Sequence, residues 1–242
     1  MTATPQIRTV GLSGLLVSFA DALTEPANRA AIAFRAAVAA EDWPEVGEVS
    51  CSLVSTFVEA DLATVDVEDL SALLRALLGE RDWLAAPLPG GRSLWRIPTV
   101  YGTDLAPQLE DAAAQAGCDA ETAIAELSSA RVRVLTLGFA PGQPYLGTLP
   151  ERWDIPRQQD LTRQVPAGAL ILAIRQLIVF TAAAPTGWRH VGQTAFRNFR
   201  PDSDRPIVLS PGDELTFPAV DRDRLIALRD TADGGATRED LS

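Results

Sequence analysis

The segment 138–168, GFAPGQPYLGTLPERWDIPRQQDLTRQVPAG, gathers residues suited to holding a small polar molecule. The loop 140–147 offers backbone N–H groups, the Gln143 amide and the Tyr145 hydroxyl, and Arg157 adds a guanidinium able to clamp a carboxylate through two parallel hydrogen bonds. Together these suit a carbonyl or carboxylate ligand. The same residues also admit a structural role, in which Tyr145 packs the loop and Arg157 pairs with Asp154 or Glu151. Gln176 lies between two apolar runs, so its amide either finds partners in the interior or faces solvent on an edge. Pro141, Gly142 and Gly147 fix the backbone path, because proline locks φ and glycine permits positive φ. A loop specified that tightly builds a site or a docking surface.

Other chemistry is excluded by composition. A hydrolase triad needs a nucleophile, a base and an orienting group, and the chain has one histidine, His190. If 188–190 is one strand, His190 shares a face with Trp188, which favours a packed or partner-facing ring over a catalytic base. The run Gly11-Leu12-Ser13-Gly14 lacks the G-x-S-x-G spacing. All 21 basic residues are arginines, so a P-loop lysine, a Schiff-base lysine and a biotin-acceptor lysine are absent. Cys51 and Cys118 form no C-x-x-C, and with one histidine a His/Cys metal site would be short of ligands. A net charge of −11 argues against nucleic acid and anionic membranes as partners. The N-terminal MTATPQIR has no apolar core of a secretory signal, which points to the cytoplasm.

The elements that must position these residues divide in two. The spacing predicts a strand over 15–19, a helix capped by Thr24 with Pro26 in its first turn, strands over 46–50 and 53–58, and an amphipathic helix opened by Asp66. Residues 1–84 thus read as a small α/β sandwich of ferredoxin-like type, and 85–92, with its prolines and glycines, as a linker. From 93 to 220 come a strand, helices over 105–116 and 119–127, and short apolar strands separated by Gly/Pro turns, the pattern of a barrel or sandwich. The apolar stretch 166–185 carries Arg175 and Gln176 at its middle and reads as two buried strands, 169–174 and 177–181, not as a membrane span. The polar tail 221–242 is expected to fray. The fold class expected is α+β.

The ordered set of motifs resembles the family of 5-oxoprolinase B subunits, also described as allophanate hydrolase subunit 1 or the sporulation kinase A inhibitor family. Members carry in order a GFAPGFPYLGG-like loop, a TPR, an R-VPAG, a GGQTGIYP, a GGW, a G-R-T and a late PGD, and this chain follows that order from Gly138 to Asp213. The run 97–102 is similar to the family's IPVCYGG, and 55–58 to its SLLV strand. The resemblance implies a cyclophilin-like β-barrel for the second domain. It also implies a non-autonomous B-type subunit that works with a carboxyltransferase-like C-type subunit, and with an A-type subunit, in an ATP-dependent enzyme opening a small amide or lactam, 5-oxoproline. ATP and Mg would then bind only in the complex, and none to this chain alone. Two alternatives stand beside it: a regulatory protein of the histidine-kinase inhibitor type, and a subunit of a biotin-dependent urea carboxylase or allophanate hydrolase-like enzyme.

Departures from the family fall on polar and glycine positions. GGQTGIYP is replaced by the run 174–181, which keeps only Gln176; Ile174 and Arg175 stand for glycines and are expected to narrow or recharge the pocket. The R-x-R before VPAG reads Thr162-Arg163-Gln164, Gln193 stands for the arginine of G-R-T, Thr186 for the first glycine of GGW and Gln143 for the loop phenylalanine. The family's histidine after the second helix falls on Leu127. The expected substrate contacts are Gln143, Tyr145, Arg157 and Gln176, with the turn scaffold better kept than its decoration.

Overall fold

The computed structural model describes residues 4–241, which fall into two compact units dividing after Gly90. In the first unit, strands β1 (Gln6–Thr9) and β2 (Gly14–Ser18) form a hairpin, followed by helix α1 (Glu25–Glu41), strands β3 (Val49–Ser52) and β4 (Ser55–Glu59), and helix α2 (Val67–Gly79). The strands are antiparallel in the order β1-β2-β4-β3. Both helices start where side-chain caps are available: Thr24 accepts from the Ala27 N–H, and Asp66 from the N–H groups of Glu68 and Asp69. Phe34 at the centre of α1 meets Trp83 edge-on, with ring centroids 4.9 Å apart. Leu70, Leu74 and Leu77 turn inward from α2, whereas Leu73 stands exposed.

The second unit begins with β5 (Arg92–Arg96), β6 (Thr99–Tyr101), α3 (Leu109–Gln115) and α4 (Ala120–Ser129). Strands β7 (Val132–Leu137), β8 (Pro144–Gly147), β9 (Thr162–Val165), β10 (Ala169–Ala173), β11 (Gln176–Val179), β12 (Ala184–Thr186), β13 (Arg189–Thr194) and β14 (Glu214–Thr216) follow, then α5 (Arg222–Leu228) and β15 (Thr237–Leu241). An antiparallel run β14-β7-β8-β11-β10-β13-β6 forms the sheet, and β9 pairs with β12 apart from it. Beyond β14 the chain passes beside the start of β6, with Thr99 donating to the Pro218 carbonyl and Val220 donating to that of Thr99.

Strands β10 and β11 are covered on both faces, which accounts for their continuous apolar sequence. Leu170, Leu172, Leu177 and Val179 enter the larger core with Trp153 and Phe217. Ala169, Ile171, Ala173, Ile178 and Phe180 face a smaller one with Trp188. Among the described residues no helix is long and apolar enough to cross a membrane.

Two expectations need correction. The tail from 221 does not fray: Asp221 caps α5 by accepting from the Arg224 N–H, and β15 pairs with β5 over five residues. Its charged residues mislead because an edge strand needs no apolar side chains when its backbone is paired. The helix expected from 105 starts at Leu109, because Thr103 takes positive φ and Ala106 donates back to the Gly102 carbonyl, making a separate turn.

Candidate functional site

The loop after β7 is closed by its own backbone hydrogen bonds. Gly138 donates to the Gln143 carbonyl and Gln143 to that of Ala140, both at 3.0 Å. Buried Asn198 donates to the Gly142 carbonyl while its Oδ1 accepts from Val208 and Leu209 N–H groups. Gly142 takes φ +66 there, and a Cβ on it would stand 3.4 Å from the Asn198 amide and from the Phe199 side chain.

The residues expected to bind substrate are only partly gathered. Tyr145 and Arg157 both meet Trp188: the phenol ring lies edge-on at 6.4 Å, and the guanidinium sits 5.4 Å from the indole centroid. Gln143 is buried just before β8, whereas Gln176 opens β11, next to Gly147 at the far end of β8. The paired non-glycines form the two-residue turn between β10 and β11, with Ile174 at φ 45 and Arg175 at φ 61. This turn docks on the segment 149–155. Ile174 donates to the Ile155 carbonyl, Arg175 to that of Trp153, and the Arg175 Nε to that of Leu149.

A cavity of about 560 Å³ opens elsewhere, between the VPAG turn and the end of β13. Neither these four residues nor Ile174 and Arg175 line it; His190, Gln193, Thr194 and Gln164 do, with Arg197 and Arg229. Its size suits a small molecule. A β-bulge makes its floor. Ile171 pairs with His190 but Leu170 with Gly192, so the register slips at Val191. In a regular strand 190 and 193 point to opposite faces; the extra residue puts both on the side of Ile171 and Ala169. Gly192 is required, since a Cβ would come within 2.7 Å of the Thr99 methyl.

The retained VPAG turn orients Gln193. Its Nε2 donates to the Ala167 carbonyl at 2.9 Å and the Thr194 carbonyl at 3.0 Å, which assigns the amide nitrogen and leaves Oε1 unpaired. Gly168 at φ +79 packs on the Thr194 carbonyl, and its own carbonyl accepts from the Thr194 N–H and hydroxyl. The His190 backbone is braced by Gln108, whose Oε1 accepts from its N–H at 2.7 Å and whose Nε2 donates to Gln158 and Thr162.

His190 is 4% and Gln193 8% exposed, and His190 Nε2 and Gln193 Oε1 both lack a hydrogen bond. Leaving a buried polar atom unpaired costs about 1–3 kcal/mol. Burial holds the His190 pKa below the usual imidazole value, against an opposite pull from the Gly192 backbone and the Gln193 amide beside it. The ring is therefore neutral at pH 7. The site holds a neutral imidazole, a fixed amide acceptor and two rim guanidiniums, which is equipment for binding and orienting. Among the described residues no group of three His, Cys, Asp or Glu side chains could hold a metal ion. In the sequence, His190 reads as a packed or partner-facing ring and Gln193 as a departure from the family. The glycine inside an apolar strand was the available sign of the bulge that joins them.

Residues 5–209 match the family described as carboxyltransferase domain, subdomain C and D. The chain is 29% identical to the 5-oxoprolinase B subunit of Bacillus subtilis (strain 168), covering 91% of this chain and 95% of that protein. It is 40% identical to the 5-oxoprolinase B subunit of Escherichia coli O157:H7 over 121 residues, 50% of this chain and 56% of that one, so the match spans little over half of that relative. The structure is similar to that of the Kluyveromyces lactis urea carboxylase, with a TM-score of 0.74 at 17% identity over 98% of this chain and 24% of the other, a likeness of fold. With the family's pattern running through both units and its polar positions changed, this chain is a divergent member of the carboxyltransferase subdomain C and D family.

Proposed function

We propose that this chain is the B-type subunit of a heteromeric, ATP-dependent 5-oxoprolinase-like amidohydrolase, acting with a carboxyltransferase-like C-type subunit. The observation that carries this reading is the match to the 5-oxoprolinase B subunit of Bacillus subtilis along 91% of the chain. The site supports it: one neutral histidine, no lysine and a fixed amide make a surface that orients a substrate, with ATP and Mg supplied through the partner subunits. In this reading the strand run closed beside Thr99 is a cyclophilin-like barrel. The first unit is a ferredoxin-like sandwich whose fourth strand is supplied by β1 at the start of the chain.

Co-expression with a C-type subunit tests the reading. Co-elution in size-exclusion chromatography, with lactam-dependent ATP hydrolysis appearing only on reconstitution, supports it; separate elution at micromolar concentrations contradicts it.

Of the expected contacts Gln143, Tyr145, Arg157 and Gln176, Tyr145 and Arg157 share a floor, Trp188, and these two are the alternative to the cavity as the place for the substrate. An Arg157→Ala complex that raises KM for 5-oxoproline supports that placement, and an unchanged KM moves the substrate to the cavity. A regulatory role without turnover is favoured by one observation, the replacement of the family's G-R-T arginine by Gln193.

A further inference from the structure

The cavity between the VPAG turn and β13 combines two features that call for a ligand. At its floor, Gln193 Oε1 is a pure acceptor held in place by the two bonds of its own nitrogen; it makes no close hydrogen bond, and the His190 ring is the group beside it. Beside it the His190 imidazole also leaves Nε2 without a partner, and both side chains are more than nine-tenths buried. At its rim stand Arg197 and Arg229, exposed, from two different segments. Other arginines around it are spent: Arg222 on Asp104 and Arg200 on Asp233. An adjoining hollow shares Arg197 and Arg229 and is also lined by Asp230 and by the paired Arg200 and Asp233, which leaves Arg197 and Arg229 as the cations that both hollows share.

We propose that this cavity binds a small carboxylic acid bearing an amide N–H, the carboxylate held at the rim by Arg197 and Arg229 and the N–H donated to Gln193 Oε1. Guanidinium groups recognise carboxylates through paired hydrogen bonds, and a fixed amide oxygen in a low-dielectric floor selects a donor over a methyl group. The ligand's N–H takes the place of the imidazole against the amide, so occupancy moves His190. A lactam acid has both groups on one ring. Its choice as probe rests on the subunit reading above, while the cavity's polarity does not.

His190 is the single histidine of the chain, so its ring carbon–proton signal in NMR reports the site without assignment. The full chain, without partners, is titrated with 5-oxoproline, with 2-pyrrolidinone, which lacks the carboxylate, and with 1-methyl-5-oxoproline, which lacks the N–H. The proposal expects a saturable shift with 5-oxoproline and at least tenfold weaker binding of the other two. Changing Arg197→Ala and Arg229→Ala together should weaken 5-oxoproline at least tenfold and leave 2-pyrrolidinone unaffected; both residues are exposed, so the fold tolerates the change. No saturable shift with 5-oxoproline, equal affinity for the three probes, or indifference to the arginine changes overturns it. A chain that binds the acid but elutes apart from a C-type subunit keeps the site and loses the subunit reading; one that co-elutes and leaves His190 unshifted does the reverse.

Discussion

The two ends of strand β10 carry the same kind of sequence departure and meet opposite fates. At one end, Ile174 and Arg175 occupy a turn with positive φ where the family has glycines, and their backbone N–H groups and the Arg175 Nε find carbonyls in the segment 149–155. At the other, Gln193 stands for an arginine across from Ala169, and neither its oxygen nor the neighbouring His190 Nε2 makes a close hydrogen bond. The first change is absorbed into structure, with backbone strain as its cost. The second leaves buried polar capacity unused beside a cavity, where a ligand has something to gain.

The largest effect that could break this contrast is loss of the corner itself. Gly168→Ala places a methyl on the Thr194 carbonyl and 2.9 Å from Gln193 Nε2, in a backbone region unfavourable to alanine. About 1–2 kcal/mol for the left-handed backbone and 1–3 for overpacking predict a loss of roughly 3 kcal/mol, read from urea unfolding. A loss under about 1 kcal/mol means the VPAG turn does not brace Gln193 as described.

The pH dependence is next in size. The folded pKa of His190 lies below its unfolded value, so the unfolded chain takes up the proton first. Its stability contribution is complete above pH 6.5, the ordinary value, and is lost as pH falls through the folded pKa. Between pH 7 and 5 the wild type should therefore lose stability faster than His190→Gln, by at most about 1.4 kcal/mol per pH unit. Parallel curves contradict a buried neutral ring.

The β10–β11 turn gives the smallest change. Ile174→Asn should stabilise the chain by about 1 kcal/mol, because asparagine tolerates φ 45 and the side chain is already exposed. Arg175→Gly relieves φ 61 but gives up the bond to Leu149, so its effect on stability should be close to zero. Neither should alter ligand binding in the cavity, contrary to the expectation that these positions recharge the pocket. A binding change of tenfold or more from either would rejoin the two ends of β10.

Local rules made much of the fold legible. The caps at Thr24 and Asp66 and the two strands around Arg175 all lie where short-range chemistry puts them. What escaped depended on distant partners. β1 is too polar to announce itself and exists by pairing with β2; β15 exists by pairing with β5. The amide network of Gln108, Gln158 and Thr162 joins residues about fifty positions apart, with no periodic signal. Trp188, which brings Tyr145 and Arg157 together, lies on another strand connection. The bulge at Val191 reversed the side on which Gln193 falls, and strict alternation could not show it.

Crystals of the full chain grown with 5-oxoproline test the central claim most directly. The account predicts density for the acid in the cavity, its carboxylate between Arg197 and Arg229 and its nitrogen about 3 Å from Gln193 Oε1, with the His190 ring turned from its place. Density at Trp188 and Arg157 instead, or a cavity holding only water with His190 hydrogen-bonded directly to Gln193, would contradict it.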